Sequence, residues 1–342
     1  MTERKRKRPV DEALPEITCL EDLIRLCNTR KKYQNINMEA LWNIKDHLIN
    51  LESLVGMESV KKSIFQQVIY YLQGLHTRDT EGEYLHTQII GPPGTGKTTV
   101  AGIIGCIYRD LGILSRGTMQ TIHRDDLVAG FVGHTAIKTK RLLLKNLGGV
   151  LFFDEAYSMG SNDNEKSDSF AKEAIDTLAP FLSEYKEDFC FIIAGYEEDI
   201  QKCFFSLNKG LERRFPWKHT IEPYKSNDLT SIAFKKIKDI SWECGVSFEE
   251  LLELIEANKD YFKNSGGDVE NYISKCKIAH SQRVFTLAQK EKFRLSKDDF
   301  IAGMEIMHVN TKVVAKDTFV PSMYLWYELY LWFTSCIYDL RV

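Results

Sequence analysis

Residues 91–98 read GPPGTGKT, and the spacing G-x-x-x-x-G-K-[ST] in this octapeptide decides the fold. Gly91, Gly94 and Gly96 let the backbone wrap closely around a phosphate, with N–H groups turned inward as an anion nest. Lys97 supplies a point charge to the β- and γ-phosphates, and the Thr98 hydroxyl suits Mg²⁺. Pro92, Pro93, Thr95 and Thr99 fill out the stretch that would touch a nucleotide. A plain Gly/Pro turn can carry the same glycines, so the flanks matter. Residues 85–90 (LHTQII) form a short β-prone run before the loop, and 99–111 (TVAGIIGCIYRDL) have the period of a helix after it. That order puts the phosphates at a helix N-terminus, where the dipole and unpaired N–H groups favour negative charge.

Downstream lies 148–155, GGVLFFDE. Four apolar residues followed by Asp154 and Glu155 describe a buried strand that delivers two carboxylates at its carboxyl end. Alone, such a run is usually a strand entering a polar loop. Placed after a phosphate loop with a βαβ unit between, it puts Asp154 where Mg²⁺ is held through a water. Glu155 then polarises the attacking water as general base, a role worth roughly 10²–10⁴ in rate. The two motifs together read as nucleoside triphosphate hydrolysis.

From residue 54 to 222, strand-like runs alternate with helical stretches. The strand candidates are 85–90, 118–122, 150–153 and 189–194, and the last two are continuous apolar runs too short for helices. Such alternation implies a doubly wound parallel sheet with ligand at the carboxyl ends of its strands. Beyond Pro223 the strand signal stops. Residues 228–244, 248–258, 269–290 and 295–307 have helical period, which marks a separate small helical domain. Ahead of the sheet, 19–27 and 38–51 are also helical, the second with Leu41, Ile44 and Leu48 on one face suited to packing.

With 44% hydrophobic and 27% charged residues among 342, the chain has globular composition and room for two domains plus tails. A net charge of −3 argues against a molecule built as a whole to hold nucleic acid or an anionic membrane. The cysteines are scattered, with no C-x-x-C pair and no histidine at ligand spacing, so a reducing intracellular setting without structural zinc is expected. Cys106 and Cys190 sit in apolar runs and read as buried thiols. Residues 1–17 have few apolar anchors, as a disordered basic tail would. Within it Lys5, Arg6, Lys7 and Arg8 read equally as a nuclear-import cluster or a solvated tail, which leaves cytoplasm or nucleus as the location.

Several stretches now act together: LVGM at 54–57, the loop and helix start at 91–100, LVAGFVGHTAIKTK at 127–140 and GGVLFFDEAYSM at 148–159. They continue with FAKEAIDTL at 170–178, IIAGY at 192–196, GLERRF at 210–215 and GGDVENYISKCKIAHSQRVF at 266–285. As a set they resemble the AAA+ ATPases, and within them the CbbX/CfxQ-like (stage V sporulation protein K-like) family, over about 54–310. The resemblance implies an α/β fold, a P-loop AAA+ doubly wound parallel sheet at 53–222 followed by a small all-α lid domain at 223–312. An N-terminal helical segment at 18–52 precedes them. It implies Mg-dependent ATP hydrolysis by a homo-oligomer, a hexameric ring, acting on a protein client.

It also gives residues their roles. Val55 and Gly56 fall in the segment packed near the adenine. Phe131, Val132 and Gly133 fall where an aromatic pore loop grips an extended polypeptide, the alternative being a core phenylalanine. Arg213 and Arg214 match the arginine finger that reaches a neighbouring subunit's nucleotide, an effect worth about 10³–10⁵ in hydrolysis; the pair leaves open which one is the finger, and a surface salt bridge remains the alternative. Two departures stand out. Tyr196 falls where many AAA+ proteins place a water-positioning Asn. Residues 266–271 (GGDVEN) cover the spot where relatives carry a lid arginine, yet the first arginine after them is Arg283.

Some relatives of this branch act on red-type rubisco, but the shared motifs concern the motor and not the client. A nucleic-acid motor or loader is a second reading, less favoured given the net charge and the aromatic pore position. A slow, nucleotide-switched scaffold is a third, motivated by the absent lid arginine. The tail at 313–342 is dense in aromatics, and within 319–338 Glu328 is the only charge. Pro321, Glu328 and the tyrosines suit a membrane-spanning helix poorly, so the tail reads as an interfacial anchor, a partner surface, or a strap on its own helical domain.

Overall fold

The computed structural model describes residues 16–29, 33, 36–78, 83–131, 133–160, 169–286 and 292–316. The basic cluster Lys5–Arg8, Val132 and the aromatic stretch 319–338 lie outside these. The N-terminal segment holds α1 (Leu20–Asn28), α2 (Met38–Asn43) and α3 (Lys45–Glu52). The single helix expected over 38–51 is therefore two, broken at Ile44, although Leu41, Ile44 and Leu48 do share one fully buried face. Next come α4 (Glu58–Leu72), β1 (Thr87–Ile90), α5 (Lys97–Asp110), β2 (Met119–Ile122), α6 (Arg124–Leu127) and α7 (Thr135–Lys145). They are followed by β3 (Val150–Phe153), α8 (Ser169–Glu184), β4 (Cys190–Gly195), α9 (Glu197–Cys203) and β5 (Trp217–Thr220).

The five strands form one parallel sheet in the order β2-β3-β4-β1-β5. Their side chains alternate between two cores, as the pleat requires. Val150 and Phe152 of β3, with Cys190, Ile192 and Ala194 of β4, pack toward α1–α5. Leu151, Phe153, Phe191 and Ile193 pack on the other face, against α8 and α9. Burial on both faces explains why these strands read as unbroken apolar runs. β5 went unseen because its sequence, WKHT, buries only His219 fully while Lys218 and Thr220 face solvent. It is an edge strand, and its partner β1 rather than its composition makes it a strand. Cys190 is buried as expected, whereas Cys106 is only half-buried.

Two compact units divide the chain. The first holds residues up to Ile232 together with Asn264–Gly267, so the division falls inside α10 (Ser226–Asp239), where sequence reading placed a boundary at 222/223. The second contains the rest of α10, β6 (Glu243–Cys244), α11 (Phe248–Ala257), most of α12 (Gly266–Arg283), β7 (Arg294–Leu295) and α13 (Lys297–Lys316). β6 and β7 pair in parallel, so this unit is mainly but not entirely helical. Ser247 and Glu250 close a capping box on α11, each side chain taking the other's backbone N–H. Buried Asp299 ties the unit together. It accepts two bonds from the Arg283 guanidinium at 2.8 and 2.9 Å, one from Ser296 N–H at 2.8 Å, and lies 2.9 Å from His280 Nδ1.

Candidate nucleotide site

Strand register brings the first site residues together. Ile90 pairs with Gly195 on one side and Thr220 on the other, while Phe153 pairs with Ile193. The residues that follow, Gly91, Asp154 and Tyr196, therefore leave the sheet along one carboxyl rim. Two bonds lock that rim: Gly91 N–H donates to the Gly195 carbonyl at 3.1 Å, and Ile221 N–H to the Ile90 carbonyl at 2.7 Å.

From Gly91 the loop turns through Gly94 (φ +69°) and Gly96 (φ +87°), conformations that glycine alone adopts readily. Thr95 is buried and braces the turn by donating to the Pro92 carbonyl at 2.7 Å. α5 begins at Lys97, so its free N–H groups open onto the loop, with Thr98 and Thr99 exposed in its first turn. The Lys97 ammonium sits against the carbonyls of Gly91 (3.1 Å) and Pro92 (2.8 Å). Burial lowers its pKa, and the Asp154 and Glu155 carboxylates oppose that shift. A nest of glycines, a cation held inside the loop and a hydroxyl on the first helical turn fit the triphosphate of a nucleotide.

Asp154 is half-buried and accepts the Glu155 N–H at 3.0 Å. Glu155 itself is exposed with a left-handed backbone, φ +53°. Beside it stands Tyr157, whose phenol is pushed up to about 12, first by burial and then by the negative charge of Glu155. Tyr196, at the end of β4, is also close enough to contribute to that shift. Tyr157 had no role in the sequence reading although it lies inside the DEAY block.

On the other side of the loop, Val55 is half-buried and Gly56 turns at φ +64°. A side chain at Gly56 would lie 3.4 Å from the Tyr224 ring and 3.5 Å from an Asp228 oxygen. Met57 reaches to 3.2 Å of the place a side chain would take at Gly96. The Tyr224 hydroxyl donates to the Thr95 carbonyl at 3.1 Å, and burial, with Asp228 next, pushes its pKa up to about 12. Residues 55–57, Tyr224 and the phosphate loop thus form one wall. Asn264–Gly267 adds another: Gly266 N–H donates to the Gly94 carbonyl at 3.1 Å, and a side chain at Gly94 would strike the Asn264 carbonyl at 2.0 Å. No arginine lies in that turn, and Arg283 is committed to Asp299. Four non-glycine residues described have φ in the left-handed region; two of them, Met57 and Ser265, belong to these walls, and a third, Glu155, is the candidate general base. Such local strain concentrates at sites of function.

The remaining predicted residues belong to the segment before α7 and to the turn before β5. Phe131 is 74% exposed, and neither Gly130 nor Gly133 (φ +78°) has a neighbour that a side chain would meet. A core role for this phenylalanine is thereby excluded. The two arginines separate clearly. Arg214 donates from Nε to Ser183 Oγ at 2.7 Å and from Nη1 to the Gly210 carbonyl. Arg213 is exposed and has no hydrogen-bonding partner among the described residues.

Residues 88–218 match the family model described as "ATPase family associated with various cellular activities (AAA)". A cfxQ-like protein of Acanthamoeba polyphaga mimivirus is 38% identical over 271 residues, which is 78% of this chain and 66% of that protein. Stage V sporulation protein K of Bacillus subtilis is 36% identical over 68% of this chain and 74% of its own length. CbbX of Cereibacter sphaeroides is 33% identical over 68% and 76% respectively. Among solved structures, the FIGL-1 AAA domain in complex with ADP is similar with a TM-score of 0.55 at 17% identity, covering 86% of this chain and 92% of that domain. At that identity the likeness speaks for the fold alone. The sheet order, the loop at 91–98, the carboxylates after β3 and these relatives agree: the chain binds nucleotide, is an ATPase, and belongs to the CbbX/CfxQ-like family of AAA+ ATPases.

Proposed function

We propose that the protein is a ring-forming motor that uses ATP hydrolysis to pull or lever a polypeptide through a central pore. The observation that carries this reading is Phe131, a large apolar ring held out in solvent between two unencumbered glycines. A ring face packs on almost any side chain, so it suits a sequence-tolerant grip. Exposed, unpaired Arg213 supports the same reading, because an arginine finger must leave its own subunit to reach a neighbour's nucleotide.

The site would hold Mg²⁺ through the Thr98 hydroxyl and Asp154, and the ion would supply charge neutralisation for the phosphates. Lys97 would leave the Gly91 and Pro92 carbonyls for the phosphates, and Glu155 would take the proton of the attacking water. The setting would be intracellular, in the cytoplasm or, through Lys5–Arg8, the nucleus.

The test is size analysis of Glu155→Gln with ATP and Mg²⁺, paired with wild-type hydrolysis measured against protein concentration. Rings from the variant and a specific activity that rises with concentration are expected. A monomer with constant specific activity would overturn the reading.

A specific observation favours a second reading. The turn Asn264–Gly267 lies on the phosphate loop and contains no arginine that could reach the nucleotide. A slow, nucleotide-switched scaffold would follow. Steady-state hydrolysis decides it, since rapid repeated turnover excludes a switch.

A further inference from the structure

α7 continues from the Phe131 loop, and its two faces differ in kind. Thr135, Thr139 and Leu143 are buried, and the Thr139 hydroxyl donates to the Leu127 carbonyl at 2.9 Å. On the opposite side the helical period aligns Ile137, Lys140, Arg141 and Leu144, with Lys145 at the edge. Ile137 is 61% exposed and Leu144 is 42% exposed. Lys140, Arg141 and Lys145 point to solvent with no partner among the described residues. Lys138 is spent differently, on the carbonyls of Asp125 and Val128. Residues 127–145 contain four lysines and arginines and no acidic residue, in a chain whose net charge is −3. This stripe is therefore a local reversal of sign, laced with aliphatic side chains left largely exposed.

We propose that this face of α7 is the outer part of the client-binding surface, and that it selects polypeptide segments in which acidic residues alternate with aliphatic or aromatic ones. The inference rests on the pore reading of Phe131 and adds a chemical class to it. The cations would attract and orient an acidic segment, and Ile137 and Leu144 would retain its apolar side chains before it reaches Phe131. A polyanion such as nucleic acid would use the cations but would leave the two aliphatic residues uncovered. That difference favours protein.

The experiment uses full-length Glu155→Gln with ATP and three fluorescent, unstructured peptides of equal length: Glu/Leu-rich, Lys/Leu-rich and Glu/Ser-rich. Binding to the Glu/Leu peptide about tenfold tighter than to either other is expected, fading as salt shortens the Debye length. Lys140→Glu with Arg141→Glu should remove the acidic preference, read as the ratio between peptides on one protein. Ile137→Ser should lower Glu/Leu affinity while leaving Glu/Ser binding unchanged, which a folding defect would not do. Equal binding of all three peptides, still dependent on Phe131, overturns this proposal and leaves the pore reading standing. Binding of none, with no peptide stimulating wild-type hydrolysis, overturns both. Oligothymidylate that competes for the stripe and is insensitive to Ile137→Ser assigns the face to nucleic acid instead. Loss of the assembled state in the charge-reversed variant assigns it to a second copy of the chain.

Discussion

The Tyr224 hydroxyl donates to the Thr95 carbonyl at 3.1 Å, which ties the chain leaving the sheet to the crown of the phosphate loop. A hydrogen bond of this kind contributes about 0.5–1.5 kcal/mol net. Tyr224→Phe should therefore weaken ADP binding by about 2- to 10-fold, and Tyr224→Ala by more, because the ring also lies against Gly56. Titration with a fluorescent ADP analogue reads both. Unchanged affinity in Tyr224→Ala would remove this residue from the site.

Glu155→Gln should cut single-turnover ATP hydrolysis by roughly 10²–10⁴ with nucleotide affinity retained. Lys97→Ala should instead abolish binding, since the cation held by the Gly91 and Pro92 carbonyls is the loop's own charge. Equilibrium binding and rapid-quench hydrolysis separate the two effects.

The adjacent arginines should behave differently. Arg213→Ala should lower steady-state hydrolysis by about 10³ or more without loss of thermal stability. Arg214→Ala should mainly lower stability, by about 1–3 kcal/mol, because it strips partners from Ser183 and the Gly210 carbonyl. Mixing Arg213→Ala with Lys97→Ala gives a sharper check. In a ring, an intact nucleotide site of the first meets an intact Arg213 of the second, so activity should reappear. No recovery in mixed assemblies argues against a finger acting between subunits.

Acid should weaken the first unit before the second. His86 accepts the Phe191 N–H at Nδ1 (3.1 Å) and donates from Nε2 to the Leu182 carbonyl (3.0 Å), so the folded state holds it neutral. Burial pushes its pKa from 6.5 down to about 4, and burial does the same to His219. Each unfolded histidine binds a proton that the folded one refuses in this window. Stability is full above 6.5 and falls toward 4, by about 1.4 kcal/mol per pH unit for each histidine. In the second unit, burial would raise the Asp299 carboxyl, but Arg283, Ser296 and His280 outweigh it and hold it well below 3.8. That contribution is present above 3.8 and is lost only below it. Amide hydrogen exchange at pH 7 and pH 5 should therefore show protection falling in the sheet while α12 and α13 keep theirs. His86→Leu should be less stable at pH 7 and should lose pH sensitivity by one histidine's share.

What could be read without coordinates follows from how each element is held. β3 and β4 were legible because a strand covered on both faces reads as a continuous apolar run, β1 (TQII) through its place just ahead of the loop, and the loop at 91–98 because phosphate demands glycines at fixed spacing. β5 was not, since its four residues are polar and only pairing with Thr87–Ile90 makes them a strand. The broken helix at Ile44 escaped for a related reason: the buried face runs on through the break, so the apolar period never falters. Tyr224, Met57 and the turn Asn264–Gly267 join the site through tertiary approach across long stretches of chain, which no local pattern encodes. The same holds for Arg213 and Arg214. Their sequence context is shared, and what tells them apart is that Arg214 bonds Ser183, about thirty residues away along the chain, and the Gly210 carbonyl.

α5 spans 14 residues, about 20 Å of helix, with Lys97 at one end. At the other end Asp110 meets His47 Nε2 at 2.6 Å, and α3 lies along the same helix. The N-terminal helices are therefore a clamp on the far end of the helix whose near end opens onto the phosphate loop. A chain shortened to begin at Ser53 would not be a smaller version of the same ATPase. It would lose Leu41, Ile44, Leu48 and Leu51 and so uncover the apolar side chains of α4 and α5 that share their core, and it would leave the helix behind the phosphate loop without its far-end anchor.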